Sequence, residues 1–530
     1  MTVPTIAHVE NPNTITSPDE LREWMDELPI ANPLLTAENL LLSLQLLNRH
    51  PGALSELPEL LLLYLHMFGD LLDLLRSGTG KPSAVGRRAR ADLDETVQQI
   101  NKELSFGYKR AILARQAIPM PREVAEEILT NGLNFLANEL MFAYVHYLRE
   151  PANTWMEIMQ TFLLAERLRV SGADIRDAGY ASAAPTVRLA FKRILLVSIL
   201  HPYRLQPGEA WALFDYLRQT ADMARLSQFR QRDKTEGCFL VPVRGPVRHL
   251  HYDSSSLPEG SEQMLLLDTT SLNVRAYQDL STIKSGRSDP ASLFGALGRH
   301  GTERLLHTQL VNWHLRPRRR HARQERYNWV VAACGLDAIR EYLEREQAPN
   351  RSDTGTPEQM EGTIHIVDRM PGIRTREHET HRWRQIDISS SGVALTLPAD
   401  EVGTLEVGQL VLVTDDDRRW HVGVVRRVIQ RDMKHFEAGV QFVQGRIRAA
   451  SIRPEVFGSE QASDFQSALR LERGPEQSPV VFTPHMLYRE HHEYLVETDG
   501  EACFRINSGA LLESTLCYER FEYAPIRLHG

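Results

Sequence analysis

Cysteine is scarce in this chain: there are four among 530 residues, and no two of them form a Cys-x-x-Cys pair. We therefore expect neither a disulfide framework nor a thiolate zinc site, and the predicted compartment is a reducing cytoplasm. The first residues contain no basic segment followed by an apolar run, so no signal peptide is expected. The most apolar stretch, residues 57–75, is interrupted by His66, Gly69, Asp70 and Asp73. It is too polar to span a bilayer, and no membrane insertion is expected.

Motifs of catalysis are also missing from the sequence. There is no Gly-x-Ser-x-Gly run, and GTGKPS at residues 78–83 lacks the first glycine and the final Ser/Thr of a phosphate-binding loop. HETH at residues 378–381 has its histidines three positions apart, which is the wrong spacing for a His-Glu-x-x-His zinc site. We therefore expect no catalytic residues, no metal ligands and no cofactor, and the protein is not predicted to be an enzyme.

Length and charge define a soluble protein of several domains. A chain of 530 residues is too long for one hydrophobic core, and three or four domains are expected. An apolar content of 42% and a charged content of 25% are typical of globular proteins. Because the net charge is −8, bulk electrostatics exclude a general affinity for nucleic acids or anionic membranes.

Residues 1–235 are predicted to form an all-helical domain, either a bundle or a degenerate helical array. Two helix starts follow from capping boxes, at Ser17 with Glu20 and at Thr154 with Glu157. Apolar residues recur at multiples of four between positions 124 and 148, the pattern of an amphipathic helix. No fixed repeat of about 34 residues is present, so the sequence gives no support to a solenoid.

Two groups of residues point to a receptor for a nucleotide phosphate. The segment RPRRRHARQER at 316–326 is rich in arginine, whose planar guanidinium pairs with phosphate oxygens and with the O6/N7 edge of guanine. Further on, DISSSG places Asp387, Ser389 and Gly392 between two runs of alternating apolar and polar residues. This alternation predicts two half-buried strands joined by a short turn that a ligand can approach closely.

The arm and the turn resemble those of the PilZ domain, a six-stranded bacterial barrel that binds cyclic di-GMP. That family uses an Arg-x-x-x-Arg arm and an (Asp/Asn)-x-Ser-x-x-Gly turn. Here Arg319 and Arg323, preceded by Arg318, fit the arm, and the segment from Trp383 to Gly392 fits the turn.

Two later runs extend the likeness. GVVRRV at 423–428 and GVQF at 439–442 resemble the family's later strands, so that the resemblance covers residues 316–450. Unlike in ordinary members, a polar insertion at about 344–381 separates the arm from the turn. Three arginines within the insertion are alternative arm residues with the wrong spacing, namely Arg369, Arg374 and Arg376.

The resemblance implies an α+β multidomain protein, in which an N-terminal all-α helical domain precedes a C-terminal PilZ-like antiparallel β-barrel with additional β strands. A β-containing connector is expected at residues 236–300 and the barrel at 301–455. Residues 456–530 are expected to form either a separate β module or an extension of the barrel.

The family's chemistry implies a role for each motif residue. The guanidinium groups of Arg319 and Arg323 would bind the phosphates and guanine edges of the ligand, with Arg318 assisting. The carboxylate of Asp387 would accept from the N1/N2 edge of guanine, and Ser389 would bond to a phosphate or a base. Gly392 would allow close approach of the backbone.

The implied function is that of a cytoplasmic bacterial regulator, which binds cyclic di-GMP and signals to an unidentified protein partner through its helical domain. No DNA binding is expected. Two alternatives remain open: a partner-binding scaffold whose degenerate barrel does not bind the nucleotide, and nucleic-acid binding through the arginine arm.

Overall fold

The computed structural model divides the chain into two compact units. The first contains residues 1–203 and 208–318, and the second contains residues 204–207 and 319–530. The structure describes the chain except for residues 53–54, 78–83, 115–120, 173–185, 234, 245–248, 315–321, 348–379, 402–404, 415–418, 456–463, 475–476, 499–502 and 527–530.

The first unit begins with helices, as the sequence predicted. Their apolar faces form its core; α5, for example, buries Leu133, Leu136 and Leu140. In the described part of the chain, no helix is both long enough and apolar enough to cross a lipid bilayer. The helices are α1 (Pro18–Asp26), α2 (Pro33–Arg49), α3 (Leu57–Ser77), α4 (Ala84–Ala114), α5 (Arg122–Val145), α6 (Thr154–Leu168), α7 (Val187–Ile199) and α8 (Glu209–Thr220).

The two predicted capping boxes do not form. Ser17 precedes α1 as expected, but its side chain makes no capping hydrogen bond. Thr154 is the first residue of α6 rather than its cap, and its hydroxyl donates to Glu139 at 3.4 Å. Glu157 instead forms a buried ion pair with Lys109 at 2.5 Å. A tertiary ion pair has thus replaced the local hydrogen bond that the sequence pattern predicted.

A small antiparallel sheet and three further helices complete the first unit. The strand order in the sheet is β1-β4-β2-β3. The run TTSLNV, which has a β-prone composition, instead starts a helix, because the Asp268 carboxylate accepts from the backbone N–H of Thr270 at 3.0 Å. The elements are β1 (Arg225–Gln228), β2 (Cys238–Val241), β3 (Leu250–His251), β4 (Leu265–Asp268), α9 (Thr270–Lys284), α10 (Ala291–Phe294) and α11 (Gly298–His314).

The last of these helices belongs to the first unit, although the sequence-based division placed its residues with the barrel. Trp313 of α11 is fully buried, and its indole N–H donates to the carbonyl of Leu196 at 3.2 Å. Residues 298–314 therefore pack with the helical region rather than with the strands that follow.

The second unit contains a six-stranded antiparallel barrel. Hydrogen bonding runs in the order β6-β9-β10-β11-β8-β7, and β7 pairs again with β6 to close the ring. Strand β5 pairs with the second half of β7, beyond β6. The strands are β5 (Gln324–Glu325), β6 (Trp329–Cys334), β7 (His381–Ser389), β8 (Gly392–Pro398), β9 (Leu410–Thr414), β10 (Trp420–Gln430) and β11 (His435–Phe442).

A second closed barrel follows, with the strand order β12-β13-β14-β17-β16-β15. Its first strand begins at Arg446, so the division between the two barrels falls before the boundary drawn at residue 455 from the sequence. The C-terminal residues thus form a barrel of their own. Its strands are β12 (Arg446–Pro454), β13 (Gln466–Glu472), β14 (Val480–Thr483), β15 (Glu493–Glu497), β16 (Phe504–Ser514) and β17 (Glu519–Pro525).

One helix packs in an apolar cluster that the two barrels share. Helix α12 (Leu336–Gln347) follows β6 and was not expected from the sequence. Its buried residues Ile339 and Leu343 belong to one apolar cluster with Leu412 of the first barrel and Leu469 of the second. Burial of this shared surface makes the two barrels one packing unit.

An ion-pair network also joins the barrels. Arg426 of β10 pairs with Glu513 of β16 at 2.5 Å, and Glu513 also accepts from the hydroxyl of Tyr518 at 2.8 Å. Burial by itself raises the pKa of this carboxyl, but the nearby Arg426 and Arg520 guanidiniums hold its pKa below the usual range. Glu513 is therefore ionised at neutral pH and keeps Arg426 in place.

The substitution Leu343→Ala tests the shared core. Leu343 is completely buried (0% exposed), so its truncation should lower the free energy of unfolding by about 2–5 kcal/mol. Arg345→Ala on an exposed part of the same helix is the control, with an expected change within about 0.5 kcal/mol. Hydrogen exchange during denaturation of the full chain should show that both barrels lose protection together. Loss confined to residues 329–442 would show that the barrels are stabilised separately.

Candidate functional site

The predicted arm and turn lie 64 positions apart in the sequence and meet in the structure. Nη1 of Arg323 donates to both carboxylate oxygens of Asp387, at 2.9 Å and 3.1 Å. Strand β5 begins directly after Arg323, and its residue Glu325 lies opposite Asp387 on β7. Pairing of β5 with β7 therefore holds the arm residue beside the turn.

The other predicted arm residues are not placed. Arg318 and Arg319, and the alternative arm residues Arg369, Arg374 and Arg376, all lie outside the described residues. Of the predicted ligand residues, the structure brings together Arg323, Asp387, Ser389 and Gly392.

A β-bulge in β7 determines the direction in which Asp387 points. Trp383 and Gln385 face the barrel interior, with exposures of 0% and 3%, and strict alternation would turn residue 387 inward as well. The register shifts at Ile386, and Asp387 lies opposite Ala394 of β8. Because the bulge inserts one extra residue, Asp387 points to the outer face of the barrel.

The turn itself is held by backbone contacts. The backbone N–H of Phe442 on β11 donates to the carbonyl of Ser391 at 2.9 Å. The hydroxyl of Ser389 donates to the carbonyl of Gly392 at 3.3 Å and accepts from the N–H of Ser391 at 3.4 Å. These bonds of Ser389 are long, so its hydroxyl can exchange them for a ligand at little cost.

The barrel itself requires a glycine at position 392, a requirement that the sequence did not reveal. An ideal Cβ at this position would lie 2.2 Å from the carbonyl oxygen of Val440 on the neighbouring strand β11. Any side chain would therefore push the two strands apart. The sequence predicted that Gly392 leaves room for a ligand, but the group that approaches it closely in this structure is the backbone of β11.

The Arg323–Asp387 ion pair lies at the surface. The Arg323 side chain is 47% exposed and that of Asp387 is 19% exposed. An ion pair of this kind contributes about 0–1 kcal/mol to stability. A ligand that offers its own acceptors and donors can therefore replace it at small cost.

Exposed aromatic residues on β6 and just before it were missed by the sequence analysis. The guanidinium of Arg382 lies 5.3 Å from the ring centre of Trp329, and that of Arg384 lies 5.4 Å from the ring centre of Tyr327. Both rings are more than half exposed, in contrast to Trp383, which is buried and donates to Glu401 at 2.6 Å. Only the strand register distinguishes the outward-facing Tyr327 and Trp329 from the inward-facing Trp383.

No metal centre is found among the residues that the structure describes, since no three His, Cys, Asp or Glu side chains there cluster suitably. His381, the last residue of the HETH run, contacts the Glu401 carboxylate at 3.1 Å.

The substitution Gly392→Ala should separate the structural role of this glycine from any ligand role. Because a Cβ collides with Val440, the free energy of unfolding should fall by about 1–3 kcal/mol. Gly439→Ala on β11 is the control, since its nearest neighbour would be Arg427 Cβ at 3.6 Å, an ordinary contact. Denaturant unfolding of both variants is the measurement. Equal stability of the two would contradict the steric argument.

Comparison with known proteins adds a result from a different part of the chain. Residues 19–232 match a family described as the cyclic-di-GMP receptor FimW, N-terminal domain. No curated protein matches the chain at a significant level. The matched region contains helices α1 to α8, whereas the arm and the turn lie in the second unit. Over residues 19–232 the chain is thus similar to the N-terminal domain of the cyclic-di-GMP receptor FimW, which agrees with the ligand expected from the resemblance to the PilZ domain.

Proposed function

We propose that cyclic di-GMP binds on the outer face of the first barrel, at the place where Arg323 meets Asp387. The observation that supports this site best is the ion pair between them, at 2.9 Å. Two motif residues that are distant in sequence lie together at the surface, as a shared ligand requires. Arg318 and Arg319, which precede Arg323 in the same arm, complete the proposed site.

The residues supply the chemistry that a guanine dinucleotide requires. The guanidinium of Arg323 can form two parallel hydrogen bonds to a phosphate or to the O6/N7 edge of guanine. The carboxylate of Asp387 can accept from the N1 and N2 hydrogens of the same base. Ser389 lies on the same face as Asp387, because side chains two residues apart on a strand point in the same direction.

Binding exchanges one set of partners for another. Without ligand, Arg323 and Asp387 neutralise each other, so neither charge is left unpaired. With ligand, the guanidinium turns to a phosphate or a base edge and the carboxylate turns to a guanine edge. Charge-assisted bonds of about 1.5–3 kcal/mol each replace an exposed pair of about 0–1 kcal/mol. The exchange therefore favours the bound state.

The helical region is the proposed output of this receptor. Residues 315–321, which contain Arg318 and Arg319, connect α11 of the first unit to β5 of the second. When the ligand binds these arginines, it contacts the segment that joins the units, and this contact can change the surface offered to a protein partner. We place this regulator in the cytoplasm, where the second messenger is expected.

The substitution Arg323→Ala tests the site directly. Loss of a charge-assisted hydrogen bond should weaken cyclic di-GMP binding by about tenfold to a hundredfold. Arg323→Lys should restore only part of the affinity, because it returns the charge without the planar fork. Arg326→Ala is the matched control, since this arginine lies three residues further on and its side chain is exposed. Calorimetric titration of the four proteins provides the measurement.

Two results would favour the alternatives. No heat on titration of the parent protein would indicate a scaffold with a degenerate barrel. Equal weakening by Arg323→Ala and Arg326→Ala, full rescue by lysine, and competition by RNA in proportion to its phosphate count would indicate an unspecific arginine arm.

Transmission to the helical region has its own test. Saturating cyclic di-GMP should slow amide hydrogen exchange in the helices of residues 19–232 as well as in β7 and β8. The control is the same measurement on Arg323→Ala, at a ligand concentration well below the raised Kd of this variant. Changes confined to residues 319–530 would mean that the barrel alone presents the signal.

A further inference from the structure

A row of four residues crosses the outer face of the first barrel and ends at the site. Arg427 of β10 lies opposite Gly439 of β11, Gly439 lies opposite Ala394 of β8, and Ala394 lies opposite Asp387 of β7. Directly paired residues on antiparallel strands point to the same face. Four neighbouring strands thus present Arg427 and Asp387 on one surface, roughly 14 Å apart at a strand spacing of about 4.8 Å.

A β-bulge stands at each end of this row. In β10 the register shifts between Val425 and Arg427, as it does in β7 before Asp387. Val425 and Val428 are both completely buried, so regular alternation from Val425 would have turned residue 427 inward. Each bulge therefore brings one charged side chain out of the barrel, at opposite ends of the same row.

The two residues in the middle of the row have little or no side chain. Gly439 has no side chain, and Ala394 contributes a single methyl group that is buried. Glu437 lies two residues before Gly439 on β11, and its carboxylate is 3.5 Å from Nη1 of Arg427 in a long, partly exposed ion pair. The surface between the two charged ends is therefore a shallow trough formed by residues with little or no side chain.

A third arginine, Arg204, comes from a distant part of the sequence. Residues 204–207 belong to the second unit, although the chain before and after them belongs to the first. An ideal Cβ at Gly408 would lie 2.6 Å from Nε2 of Gln206, and the N–H of Gly408 donates to the carbonyl of Val425 at 2.8 Å. The segment is thus anchored next to the bulge that precedes Arg427.

Arg204 adds positive charge to both ends of the row. It interacts electrostatically with Arg427 and with Arg323, and its pKa is lowered, first by desolvation and then by these two like charges. Within the part of the chain that the structure describes, no hydrogen bond or ion pair of Arg204 is found. Asp387 pairs with Arg323 and Glu437 pairs with Arg427, so among these described residues the charge of Arg204 is in excess.

We propose that Arg204 and Arg427 form a second anion-binding position of the cyclic di-GMP site and bind one phosphodiester of the dinucleotide, opposite Arg323 and Asp387. This inference rests on the proposed function. The ligand has two phosphodiester groups, and the row offers a guanidinium at or beside each end with the shallow trough between them. Arg204 lies outside the barrel sequence, so no motif within residues 316–450 reveals it.

The test compares Arg204→Ala and Arg427→Ala with the parent protein by calorimetric titration with cyclic di-GMP. Each substitution should weaken binding by about tenfold to a hundredfold. Arg225→Ala, which removes an exposed arginine of β1, is the control and should leave the affinity unchanged. Gly439→Leu, which fills the trough without altering charge, should also weaken binding at least tenfold.

Stability measurements exclude a merely structural role. Because Arg204 is repelled by its neighbours when no ligand is present, Arg204→Ala should leave the ligand-free Tm unchanged or raise it, while reducing the ligand-induced rise in Tm. If the parent binds and Arg204→Ala binds equally well, the second position is refuted and the proposed function stands. If the parent does not bind at all, the proposed function itself fails. A lower ligand-free Tm for Arg204→Ala, with unchanged affinity, would show a structural role only.

Discussion

A residue of a closed barrel can meet a ligand outside it only if its side chain points outward, and alternation along each strand decides which side chains do so. In β7 and β10 regular alternation would bury Asp387 and Arg427. One extra residue in each strand reverses their direction while Gln385 and Val425 remain inside. The proposed site therefore depends on two local departures from regular pairing, which the closed ladder on both sides of each strand holds in place.

The same strand also shows how the barrel combines rigidity with access. Val422 and Val424 of β10 belong to the apolar cluster around α12, whereas Arg427, three residues further on, faces solvent. The ion pair between Arg426 and Glu513 lies between these two regions. Burial on one side of the bulge thus fixes the strand that presents a charged side chain on the other.

Local chemistry explains which features the sequence could predict. The turn at Asp387 to Gly392 and the strands around it follow from small turn residues and alternating apolar positions, which act within a few residues. The capping box at Thr154 failed because Lys109, far away in sequence, pairs with Glu157. Neither the bulges nor the position of Arg204 could be predicted, since both depend on strand register and on contacts between distant segments. Helix α12 was missed next to a polar insertion, although Leu336, Ile339 and Leu343 have helical spacing.

The wide separation of Arg323 from Asp387 has a consequence for synthesis and folding. The short ladder between β5 and β7 closes a loop that contains β6, α12 and residues 348–379. Closing long loops costs chain entropy before any contact compensates it, so contacts of high sequence separation form late. A chain released before β7 has been translated has the arm without its partner. The ion pair between Arg323 and Asp387 therefore forms only after most of the chain has been made.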